Sequence, residues 1–142
     1  MRISARGDYA VRAALELAAH TGELLRSEEI SNAQDIPPSF LGRILADLTG
    51  AGLIFSQRGA RGGYRLARPA TEISIADVIR AVEGPIVYVR GDRPDAIEYH
   101  GAATALPLVW LHLREAVRSV LDVTTLAQVI DDDADTVSAG KG

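Results

Sequence analysis

The sequence predicts a mainly α-helical fold with one small β-hairpin and a long C-terminal helix. Three observations predict it. Prolines and glycines cut the first 52 residues into short segments of helical apolar spacing. The period then changes at Leu53, where two extended runs flank the turn Arg58-Gly59-Ala60-Arg61-Gly62-Gly63. Further on, Leu106, Trp110, Leu113, Val117 and Val120 step by 4, 3, 4 and 3, the spacing of a heptad seam. Two short helices, a glycine stop and a hairpin describe a winged helix-turn-helix.

Each element follows from local chemistry. Asp8 to Ala19 is rich in helix formers and ends at Thr21-Gly22. Ser27 suits the N-cap of a second helix over 28–34, with Glu28 and Glu29 in its first turn, where the helix dipole favours acids. Asp35-Ile36-Pro37-Pro38 breaks the chain, and Pro38 opens a third helix running to about Thr49. Phe40, Leu41, Ile44, Leu45 and Leu48 form its apolar stripe. Leu53–Gln57 and Tyr64–Ala67 read as paired strands. Ser74 and Asp77 form a capping box ahead of a helix that buries Ile75, Val78, Ile79 and Val82 and stops at Gly84-Pro85. Residues 86–104 read as irregular. A long helix spans roughly 103–121, and Thr124 caps a short terminal helix carrying Leu126, Val129 and Ile130. The domain layout is therefore 1–84 winged helix-turn-helix, 85–104 irregular loop, 105–130 dimerisation helix and terminal helix, and 131–142 disordered acidic tail.

The chain has 142 residues, 47% hydrophobic and 24% charged, an ordinary globular composition. No apolar run approaches the ~20 residues of a membrane span, and the N-terminal residues lack a signal-peptide core, so a cytoplasmic protein is expected. There are no cysteines, which removes disulfides, thiolate metal sites and cysteine-ligated clusters. The net charge of −4 argues against a nucleic-acid partner, but it is uneven. Residues 36–68 hold Arg43, Arg58, Arg61, Arg65 and Arg68 against Asp47 alone. A local basic patch is the electrostatic footprint of phosphate binding whatever the total charge.

The candidate DNA-contacting residues are Ser39, Phe40, Gly42 and Arg43 on the third helix, and Arg58, Gly59, Arg61, Gly62, Gly63 and Tyr64 on the hairpin. Arginine can fork onto a guanine edge or enter a narrow minor groove, and glycine lets backbone approach a partner closely. A solvated helix face and a plain hairpin tip account for the same residues taken singly. The hairpin matches no phosphate-binding loop, because the Gly-Lys-Ser/Thr is missing. The acids Asp131, Asp132, Asp133 and Asp135 lack the glycine and terminal glutamate of a calcium loop and read as a solvated tail. His20, His100 and His112 share no metal-ligand spacing, and no catalytic triad stands out. No metal, cofactor or enzyme activity is expected.

At these residues the chain resembles the Rrf2 family of bacterial winged-helix regulators, which includes the IscR and NsrR types. Residues 9–18 in the first helix carry the resemblance. So do Ile36-Pro37-Pro38-Ser39-Phe40-Leu41, Ile44-Leu45-Ala46-Asp47-Leu48, the hairpin 56–67 and Ile75–Pro85. The hairpin is the most specific of these. The resemblance implies a homodimeric, sequence-specific transcription factor, usually a repressor, on a pseudo-palindromic operator. The third helix would enter the major groove and the wing the minor groove, while the helix carrying Leu106, Trp110, Leu113, Val117 and Val120 would cross its partner's. Relatives that sense iron–sulfur status carry three cysteines in the loop after the Gly84-Pro85 equivalent, and this loop has none. The chain therefore reads as a cluster-free member. Asp8, Tyr88, Tyr99 and His100 mark a candidate effector region for another ligand or a partner protein. The alternative reading is a protein-interaction module that kept the fold and lost DNA binding, motivated by the acidic C-terminal half.

Overall fold

The computed structural model describes residues 1–131. Helix α1 (Ala5–Ala19) starts three residues before the expected Asp8, because the Ser4 hydroxyl caps it by accepting from the Gly7 N–H at 3.0 Å. Its buried face is Gly7, Ala10, Ala13, Ala14, Leu17 and Ala18. These small side chains admit neighbours on several sides, and α1 contacts α2 (Ser27–Gln34), α3 (Pro38–Gly50) and α4 (Ile75–Glu83). Ser27 is the first helical residue of α2 and not its cap. Arg26 holds the cap position, and the Glu29 carboxylate accepts from its backbone N–H at 3.1 Å. Pro38 opens α3 as expected.

Strands β1 (Ile54–Gln57) and β2 (Gly63–Leu66) pair antiparallel, with Ile54 opposite Leu66 and Gln57 opposite Gly63. Leu25 adds a bridge to Tyr64 through hydrogen bonds of 2.9 and 2.8 Å, so the wing is tied to the segment before α2. Both strands begin one residue away from their expected starts. The Ser74–Asp77 capping box closes as expected, at 3.0 and 2.9 Å. In the loop before the last long helix, a tight turn at Val89–Asp92 and 3-10 turns at Pro94–Ala96 and Gly101–Ala103 replace featureless coil. Helix α5 (Leu106–Leu121) starts later than the expected 103, with Pro107 in its first turn. Thr125, not Thr124, caps the helical segment over 126–131, exchanging hydrogen bonds with Gln128.

One main core joins α1, α2, α3, the hairpin and α4 through Leu17, Ile30, Ile44, Leu48, Ile54, Ile73 and Val78. Leu126 belongs to it with no exposed surface. Its N–H donates to the Ile73 carbonyl at 2.9 Å, and the Ile75 N–H donates to Thr124 at 2.9 Å. The chain after α5 thus returns to the winged-helix core. A second cluster, Ala76, Ile79, Ile86, Val87 and Val117, attaches α5 to α4 and the loop.

The heptad residues do not share one environment. Val117 is buried in its own chain, and Trp110 donates its indole N–H to the Tyr99 hydroxyl at 3.1 Å. Leu106 is half-buried, while Leu113 and Val120 face solvent. The exposed apolar stripe is Val109, Leu113 and Val120, continued by Val123 beyond the helix. The sequence spacing could not separate these faces, because both recur every seven residues. The acidic tail, apart from Asp131, lies outside the described residues.

Asp122 ties the end of α5 to α4. Arg80 meets its two oxygens at 2.5 and 2.8 Å. Those hydrogen bonds, aided by the charges of Arg80 and Arg118, hold the Asp122 carboxyl below its ordinary value against the opposing effect of burial. A depressed folded-state pKa stabilises the fold above the ordinary carboxylate pKa, and the contribution is lost as pH falls through the folded value. Both side chains are about one-third exposed, so solvent screening limits the effect. In urea unfolding, the stability difference between wild type and Asp122→Asn is expected to shrink from about pH 7 to about pH 3. An equal difference at both would remove this pair from the acid response.

Candidate nucleic-acid interface

The helix-turn-helix angle is set between α2 and α3. Asp35 takes the left-handed conformation at φ 52°, which a short polar side chain tolerates. Ile36 plugs the core, its N–H donates to the Ser31 carbonyl at 3.1 Å, and its carbonyl accepts from the Ser31 hydroxyl at 2.6 Å. Arg12 of α1 donates to the Gln34 carbonyl at 2.7 Å, satisfying the C-terminus of α2. Its guanidinium also lies over the Tyr9 ring at 4.7 Å, and Tyr9 meets Phe40 edge-on at 5.3 Å. Phe40, expected as both a stripe and a contact residue, is 42% exposed in the first turn of α3.

Leu41, Ile44, Leu45 and Leu48 anchor α3, leaving Ser39, Gly42, Arg43 and Ala46 outward. An open groove of about 740 Å³ runs between the Gly42–Gly50 side of α3, the start of α2 with Arg26 and Glu28, and the wing, while Ser39, Phe40, Arg43 and Arg61 lie outside its lining. Gly42, Ala46 and Gly50 line one wall, and Gln57, Arg58 and Gly59 another. Beyond its chain neighbours and the backbone of its own helix, a Cβ built at Gly42 would meet nothing within 4 Å. The groove is therefore bounded by small residues along the helix and by arginine at the hairpin tip. The Arg43 side chain is 76% exposed and reaches Asp47 only at 3.4 Å, which leaves it free to turn outward.

The four hairpin residues Arg58, Gly59, Ala60 and Arg61 are exposed. Gly59 has φ 104° and open space around it. Gly62 and Gly63 line the groove and also lie tight against the chain's own backbone. A Cβ on Gly62 would stand 2.1 Å from the Gln57 carbonyl oxygen, and one on Gly63 would stand 2.7 Å from that of Leu25. These two glycines admit the chain's own backbone. Tyr64 is half-buried and packs against the main core while lining the groove.

Two positioning contacts had no sequence signal. The Arg26 guanidinium donates to the Ala60 carbonyl, bracing the tip against α2 across 34 positions of chain. Arg6 of α1 pairs with Asp47 of α3, neutralising the acid on the basic face. Only the folded arrangement brings either pair together.

The candidate effector residues have different surroundings. Asp8 pairs with Arg12 at 3.1 Å. Tyr88 stands near Ser4 and Glu83 around a small recess, and Tyr99 accepts from Trp110. His100 is exposed before the 3-10 turn at Gly101–Ala103. Among the described residues no group of three His, Cys, Asp or Glu could hold a metal ion. No helix among them is long and apolar enough to cross a membrane.

Comparison with known proteins agrees with this architecture. The pattern of the Rrf2 family, described as iron-dependent transcriptional regulators, matches residues 3–132. A protein of Mycobacterium tuberculosis named as an HTH-type transcriptional regulator, Rv1287, is 50% identical over 130 residues, 91% of this chain and 81% of its own. The HTH-type transcriptional regulator CymR of Bacillus subtilis is 36% identical, covering 89% of this chain and 87% of its own. The solved structure of CymR, titled the global cysteine regulator of that organism, superposes with a TM-score of 0.76 at 33% identity, covering 91% of this chain and 95% of that one. That of T. potens IscR gives 0.75 at 32%, covering 94% and 88%. With the helix-turn-helix, the glycine-shaped wing and the long last helix all present, the chain belongs to the Rrf2 family of transcriptional regulators.

Proposed function

We propose that the protein is a cytoplasmic, homodimeric, sequence-specific DNA-binding repressor of a pseudo-palindromic operator, without enzyme activity. The observation that carries the reading is the groove shared by the Gly42–Gly50 side of α3 and the Arg58 tip. α3 offers Ser39 and Arg43 to base edges with little bulk at Gly42 and Ala46, so the helix can lie deep in the major groove. Arg58 and Arg61 reach toward the flanking minor groove, where narrow A·T tracts concentrate negative potential. Phe40 supports α3, and Gly62, Gly63 and Tyr64 shape the wing. The exposed stripe Val109, Leu113 and Val120 supplies the dimer contact. Symmetry then places two recognition helices about one or two helical turns apart. The chain has no cysteine to ligate a cluster, and the loop after Gly84-Pro85 binds another effector, binds a partner protein, or responds to nothing.

Selection from random duplexes followed by gel shifts at rising salt tests the reading. A preferred inverted repeat is expected, with affinity falling as salt rises. Binding without sequence preference would favour the protein-interaction alternative. On the selected duplex at fixed salt, Arg58→Ala is expected to lose about 1–3 kcal/mol. Unchanged affinity would remove Arg58 from the contact.

A further inference from the structure

A cavity of about 350 Å³ lies between α4, the 84–94 loop and the inner face of α5. Its size falls in the range of small-molecule sites. Ile86, Val87, Pro94 and Val117 supply apolar walls, while Arg80, Arg93, Arg114 and Arg118 are its charged lining residues.

The arginines differ in how well they are satisfied. Arg80 is committed to Asp122 through two hydrogen bonds. Arg118 reaches Glu115 on its own helix at 3.3 Å. Arg93 and Arg114 share the single carboxylate of Asp95, at 3.6 and 3.9 Å, both beyond hydrogen-bond range. The Arg114 Nε is buried and has no hydrogen-bond partner. Asp95 stands outside hydrogen-bond range of both guanidinium groups, and an entering oxyanion would give their N–H groups a closer acceptor. The charged residues that line the cavity are all arginines, while the carboxylates that pair with them, Asp95, Glu115 and Asp122, are not among its lining residues.

We propose that this cavity binds a small organic monocarboxylate with an apolar body. The carboxylate bridges Arg114 and Arg93, and the hydrocarbon part packs on Ile86, Val87 and Val117. Low-dielectric walls strengthen the ion pair, and the apolar contact selects against small hydrophilic anions. The site joins α4 of the winged-helix core to α5, so occupancy acts where those helices are held together. None of its residues lines the α3–wing groove, so this inference stands or falls separately from DNA binding.

Isothermal titration of the full chain with benzoate and with hexanoate provides the test. Saturable binding of at least one is expected, with benzamide, acetate and inorganic phosphate much weaker. Arg114→Gln and Arg93→Gln should each weaken it on the order of 10- to 100-fold, the range of a charge-assisted hydrogen bond. Arg90→Gln, a nearby charge outside the cavity, should leave it unchanged. Arg93 is 65% exposed, so its variant folds and carries the test if Arg114→Gln does not. Absence of saturable binding by either carboxylate would overturn the proposal. So would benzamide or phosphate binding equally well, or an equal loss in Arg90→Gln.

Discussion

Val120→Asp is expected to break the proposed dimer into monomers. Val120 is 58% exposed in a single chain and lies on the stripe that also holds Val109 and Leu113. Such a stripe on a 16-residue helix is unfavourable in water unless a partner covers it. Across a two-fold axis, one substitution places two carboxylates in the same contact. Desolvation and like-charge repulsion should then weaken association by about 3 kcal/mol or more, over a hundredfold in Kd. The fold of each chain should survive, because the side chain makes no part of either core. Sedimentation velocity reads the assembly and circular dichroism the fold. An unshifted dimer at matched concentration would place the interface elsewhere. On the selected operator the monomer should also lose most of its affinity, since each half-site then binds alone.

Leu126→Ala carries the second large effect, on stability. Leu126 is fully buried in the main core, although it lies beyond the long helix. Truncation removes apolar contacts and leaves a cavity that Ile73, Val78 and their neighbours only partly fill, at a cost of about 2–5 kcal/mol. It also loosens the segment whose backbone bonds to Ile73 and Ile75. Urea unfolding at fixed protomer concentration measures the change, because the proposed dimerisation would make apparent stability depend on concentration. A loss under about 1 kcal/mol would mean the terminal segment is peripheral to the core.

The legible parts of this protein were those written at short range. The apolar stripe of α3, the Pro37-Pro38 break, the Ser74–Asp77 box and the turn at Arg58–Gly63 each depend on residues within one or two turns of one another. The starts of α1, α2 and the terminal helical segment shifted by one to three residues, where Ser4, Arg26 and Thr125 took the caps. The basic patch was legible too, because the arginines of 36–68 lie on adjacent elements of one motif.

Whatever depended on distant segments stayed hidden. Nothing in the sequence showed that Gly62 and Gly63 lie against the Gln57 and Leu25 carbonyls. Arg26 and Arg6 read as ordinary surface cations until folding set them against Ala60 and Asp47. The heptad of α5 could not say which apolar residues turn inward. Periodicity reports that a helix has an apolar face, and burial against a particular neighbour decides which face is covered. The sequence by itself determined the helix-turn-helix, the wing and the lack of any cysteine ligand. The tertiary structure decided the return of Leu126 to the core, the division of the α5 seam and the cavity of arginines. Each of those rests on contacts between residues far apart in the chain, which local propensity does not encode.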